Sequence, residues 1–162
     1  MKVQVKIMAT QQMVIFRVGV EEYAIPIELV KEIILYRGAT RLPGTAEYID
    51  GMINLRGKVM MVIDLAKKLA LRSGQPAEQH QALIVETGGQ EVGLLVDVVT
   101  EVMQLEEEDI EPAAGIVPSG GYIRAIGKSD QRLLIIMDLP KLFTDFEIAE
   151  FKKDRANQSV AG

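Results

Sequence analysis

Two stretches of the chain repeat each other without a gap, and this duplication limits the fold more than any other feature. Gln12 to Ile33 reads QMVIFRVGVEEYAIPIELVKEI, and Gln81 to Val102 reads QALIVETGGQEVGLLVDVVTEV. Gly19 falls on Gly88, Glu22 on Glu91, Glu28 on Asp97 and Glu32 on Glu101, while apolar residues meet apolar residues nearly throughout. Further on, Tyr48 and Ile49 match Tyr122 and Ile123, and MVIDL at 61 to 65 matches IIMDL at 135 to 139. Self-similarity on this scale marks a doubled supersecondary unit, so two like lobes are expected.

Each copy holds several runs of about 5 to 8 residues rich in Val, Ile and Leu and punctuated by Gly, Asp or Pro, the spacing of short strands in a small barrel. The expected fold is mainly β, with roughly five strands per lobe. The lobes fall at about 12–71 and 81–145, with a polar connector at 72–80 and a C-terminal helix and tail at 144–162. Pro26 lies inside an apolar run, which makes that run an edge, a bulge or a strand end, because proline cannot donate to a ladder. Gly88 and Gly89 are expected to close a hairpin. After IDL and MDL the pattern turns helical, with Asp64 and Asp138 placed as caps and Pro140 tolerated in a first turn. The tail from Arg155 is expected to fray.

With 162 residues, 48% of them apolar, the chain can pack one medium domain or two small lobes. It has no Cys, which excludes disulfides, thiolate zinc sites and cysteine nucleophiles and suits a reducing compartment. The expected location is the cytoplasm. No run approaches the roughly 20 apolar residues of a membrane span, and the start, MKVQVKIMATQQ, lacks a signal-peptide core. Direct membrane insertion is not expected. A net charge of −5 with scattered Lys and Arg opposes binding to phosphate backbones, so nucleic acid is not an expected partner.

The copies diverge at one place. Tyr48 to Leu65, YIDGMINLRGKVMMVIDL, reads as a hairpin whose turn carries Arg56, with Gly57 able to adopt the positive φ that such turns need. Where the first copy has Asn54, Leu55, Arg56 and Gly57, the second has Lys128, Ser129, Asp130 and Gln131. A cation on a rigid tip with apolar legs suits a contact surface better than a buried catalytic centre. Glu32 is either its partner or simply exposed. Val14, Ile27, Val30, Ile33 and Val99 are most simply core, although two lobes must meet along a seam, and an apolar seam can take a partner helix.

Apparent catalytic signals have plainer readings. Gly127, Lys128 and Ser129 resemble the end of a phosphate loop, but the required earlier glycine is missing and a strand follows where a helix should start. Asp64 and Asp138 could form an acid and base pair in a hydrolase, yet helix capping explains both more simply. His80, the lone histidine, is expected to be solvent-exposed in the connector, without the ligands a metal site needs. The acidic run Glu106 to Asp109, with Glu111, lacks a calcium-loop pattern and reads as a solvated face. No cofactor or metal is expected.

The residues resemble the CheW family of bacterial chemotaxis coupling proteins over about residues 12 to 145. The likeness rests on EEYAIPIELVKEI at 21 to 33, on the spacing of Pro43, Tyr48 and Gly51, on INLRGKV at 53 to 59 followed by IDL, and on EVGLLVDVVTEV at 91 to 102. Met61 departs from the proline that is usual there in the family. The resemblance implies two five-stranded barrels of the Src-homology type with a third apolar seam between them. It also implies a scaffold without catalysis, joining the cytoplasmic tips of methyl-accepting chemoreceptors to the regulatory domain of the histidine kinase CheA, at membrane-associated arrays. A kinase-facing surface would include Leu42, Asn54, Arg56 and Gly57, with Glu32 as the acidic partner of Arg56. A receptor groove would include Val14, Ile27, Val30, Ile33 and Val99. A coupling paralogue serving another cluster and a detached kinase regulatory module are the alternatives.

Overall fold

In the computed structural model, residues 10–71, 79–116 and 121–143 are described. Most of the expected connector and the C-terminal helix and tail lie outside them. Among the described residues, eleven strands form two sheets. The first copy supplies β1 (Gln11–Val18), β2 (Glu21–Pro26), β3 (Val30–Leu35), β4 (Ile49–Leu55) and β5 (Lys58–Asp64). The second supplies β6 (Gln81–Thr87), β7 (Gln90–Val96), β8 (Val98–Leu105), β9 (Ile110–Pro112), β10 (Ile123–Ser129) and β11 (Arg132–Met137). Two single-turn helices, α1 (Leu65–Lys68) and α2 (Leu139–Leu142), follow β5 and β11.

Sheet one has six strands in the order β8-β1-β2-β11-β10-β9, and sheet two has five in the order β3-β6-β7-β5-β4. The sheets therefore do not coincide with the sequence repeats: each takes strands from both copies. The chain crosses from sheet one to sheet two through a 3-10 turn at Ile27–Leu29, and returns at Asp97 between β7 and β8. Pro26 ends β2, where its missing N–H costs no ladder bond. Among the described strands, only β2 with β11 and β5 with β7 pair in parallel. Repeat-related ion pairs span these two junctions, Arg132 with Glu22 in sheet one and Lys58 with Glu91 in sheet two.

Successive strand residues point to opposite faces, and in β1, β2, β5, β6 and β7 both faces are covered, which is why their apolar runs are continuous rather than alternating. In β1, Met13 and Ile15 join Ala24, Leu105, Ala125, Leu134 and Ile136 in a cluster belonging to sheet one. In sheet two, Met60 and Val62 pack with Ala82, Ile84, Leu95 and Tyr36. The intervening residues, among them Val14, Phe16, Ile25, Met61, Ile63, Leu83 and Leu94, meet in one shared cluster between the sheets. This third cluster is the expected seam, filled along its middle by side chains of both sheets.

A charged turn and an apolar seam as the candidate functional site

Arg56 and Gly57 are the two central residues of the turn between β4 and β5. Their φ values are 52° and 88°, the doubly positive pattern that matches strand twist in a two-residue hairpin. Asn54 locks the turn by accepting the Gly57 N–H on Oδ1 at 2.8 Å. Arg56 has an exposed side chain, yet its guanidinium donates to Glu32 of β3 and forms an ion pair with it. Glu32 lies on one edge strand of sheet two, and the hairpin on the other. Thr40, just past β3, also bridges to Met52 of β4, so the two edges approach each other. Leu42 is half-buried against the shared cluster, and its carbonyl accepts from the Thr45 hydroxyl at 2.8 Å.

The seam residues divide by burial. Val14 is 2% exposed, closed inside the shared cluster rather than lining an accessible groove. Ile27, Val30 and Val99 are partly buried at its margin, and Ile33 is 42% exposed. Leu35 on β3 and Val102 on β8 are exposed as well. β3 and β8 are edge strands of different sheets, so this rim runs along both walls of the seam.

His80 is not solvent-exposed. Only 9% of it is accessible, and its Nε2 stands 3.7 Å from Oδ1 of Asp97, itself buried. Asp97 accepts the Gly19 N–H on Oδ2 at 2.9 Å, and its own N–H donates to the Arg17 carbonyl at 3.1 Å. The pair therefore pins the return crossing between sheets. Sequence reasoning missed it because polar neighbours made His80 look like linker; the alignment of Asp97 with Glu28, which lies in the other crossing, was the available signal.

The remaining polar signals are structural. Asp64 and Asp138 accept the Lys67 and Lys141 N–H groups as helix caps. Lys128 lies on β10, not in a phosphate loop, and pairs with Glu111 at 2.8 Å. Glu106 and Asp109 cap a 3-10 turn reciprocally. Arg132, which sequence reasoning did not single out, donates to both Glu22 and Glu101. That hydrogen bond holds the Glu22 carboxyl below its usual range, against an opposing push from burial. Among the described residues no cluster of three or more His, Asp or Glu could hold a metal ion, and no helix is long and apolar enough to cross a membrane.

Residues 12–147 match the family model described as the CheW-like domain. The chain is 36% identical over 141 residues to chemotaxis protein CheW of Klebsiella aerogenes, covering 86% of this chain and 85% of that one. It is 38% identical over 130 residues to chemotaxis protein CheW of Bacillus subtilis, covering 79% and 83%. The crystal structure of the scaffolding protein TtCheW from Thermoanaerobacter tengcongensis superposes with a TM-score of 0.77 at 36% identity, covering 85% of this chain and 94% of that one. With the doubled β architecture, these likenesses make the chain a member of the CheW family of non-catalytic chemotaxis scaffold proteins.

Proposed function

We propose that the chain is a coupling adaptor: it joins the cytoplasmic tips of chemoreceptors to the regulatory domain of the histidine kinase CheA. The observation that carries the reading is two unlike faces on one scaffold, which meet at β3, where Glu32 lies between Val30 and Ile33. One is the Arg56 turn with its Glu32 partner, a charged tip on sheet two. The other is the half-exposed rim of Ile27, Val30, Val99 and Ile33 along the seam.

The Arg56 turn, with Asn54, Gly57, Glu32 and Leu42, faces the kinase. A polar, preorganised tip fixes register and speeds encounter. The seam rim takes the receptor's helical tip, where each aliphatic side chain buried contributes roughly 1.5 to 3 kcal/mol before ordering costs. Val14 supports that rim from within. The chain works as a single module, at the cytoplasmic side of receptor arrays. Copurification of kinase with immobilised receptor tips, with and without this protein, tests the reading: it holds if the kinase is retained only in its presence.

A further inference from the structure

Lys68, the last residue of α1, places its ammonium 4.0 Å from the ring centroid of Tyr48 and 5.5 Å from that of Tyr122. Both distances lie within the roughly 6 Å at which a cation is drawn to an aromatic face. The tyrosines are repeat-related and belong to different sheets: Tyr48 leads into β4 of sheet two, Tyr122 into β10 of sheet one. Each is tied to its own strand–helix junction, since the Asp64 N–H donates to the Tyr48 carbonyl and the Asp138 N–H to the Tyr122 carbonyl, both at 2.7 Å. Both rings also pack against the shared cluster. The position matching Lys68 in the second copy is Leu142, which is fully buried. The cation is thus not duplicated with the rest of the scaffold.

We propose that Lys68 is an inter-sheet latch: its ammonium, held between Tyr48 and Tyr122, ties the strand–helix junction of one sheet to that of the other and closes this end of the seam. Apolar burial holds the middle of the seam whatever Lys68 does. The latch acts at the half-exposed end, where local opening precedes global unfolding. It concerns the chain alone and stands whichever partners bind.

Amide hydrogen exchange at Asp64 and Asp138 tests it in the full chain. Lys68→Met keeps the apolar reach and removes the charge, whereas Lys68→Arg keeps a cation. The Met variant should exchange about five-fold faster at both amides, and the Arg variant within about two-fold of the wild type. The Gly57 amide, at the far hairpin tip, should not change. In a Tyr122→Leu background, Lys68→Met should no longer accelerate Asp138. Acceleration at Asp64 alone would reduce Lys68 to a contact within its own sheet and overturn the latch. So would an Asp138 response that survives the loss of the Tyr122 ring, or equal acceleration by the Arg and Met variants.

Discussion

Arg56, at the tip of the β4–β5 turn, donates to Glu32 of β3 at the opposite edge of the same sheet. In the second copy the position of Arg56 is held by Asp130, and Glu101, which matches Glu32, is served instead by Arg132. Both copies thus neutralise the same acidic position, but only the first does so from the tip of its turn. The pair is surface-exposed, and such pairs contribute about 0.2 to 1 kcal/mol to stability. Arg56→Glu should therefore lower the urea midpoint only slightly, while kinase binding falls at least ten-fold in a titration of the kinase regulatory domain. Unchanged kinase affinity in the folded variant would make the turn a solvated tip and nothing more.

Two glycines in the same hairpin should respond very differently to Ala. At Gly51, with φ 145°, an added Cβ would lie 2.2 Å from the Thr40 carbonyl oxygen, so backbone must move. At Gly57, with φ 88°, nothing lies within 4 Å, and only the left-handed conformation is penalised. Gly57→Ala should cost about 1 to 2 kcal/mol, and Gly51→Ala about 3 kcal/mol or more, by urea unfolding. Equal losses would mean that the approach of Thr40 to Met52 is not tight.

Seam residues separate binding from folding. Val30 is half-buried at the margin, so Val30→Asp should keep a cooperative melt and weaken receptor-tip binding. Val14 is closed inside, and Val14→Asp should destabilise by about 3 kcal/mol or more, because an unpaired charge would be buried. Comparable melting temperatures for the two variants would contradict the division between rim and interior.

The Glu22 carboxyl is held below its ordinary value chiefly by the hydrogen bond from Arg132. A carboxylate depressed on folding adds stability that is fully present above its unfolded pKa, about 4.3, and lost as the pH falls through the lower folded value. Acid should therefore weaken the wild type more than Glu22→Gln between about pH 5 and pH 3. Urea midpoints measured across that range check the sign; parallel curves would remove Glu22 from the acid response.

Much of this was legible in the residues. The duplication, the Arg56–Gly57 turn, the Asp64 and Asp138 caps and the strand end at Pro26 each follow from a local rule that tertiary context did not override. Strand exchange was not legible, because both copies carry the same apolar pattern, and pairing within or across copies buries the same residues. Sheet one gained a sixth strand from β9, a three-residue segment too short to show periodicity. His80 and Asp97 were missed because a single polar residue gives no sign of burial until its partner, distant in sequence, is known. Val14 and Val30 look alike in sequence, and only the packing tells interior from rim.

One measurement bears most directly on coupling: a pull-down on immobilised receptor tips with the kinase in solution, run with wild type, Arg56→Glu and Val30→Asp. The account predicts that wild type retains the kinase, that Arg56→Glu stays on the receptor without it, and that Val30→Asp leaves the receptor yet still binds kinase in solution. Folded variants that each lose both partners, or that each retain both, would contradict a scaffold with two separable faces.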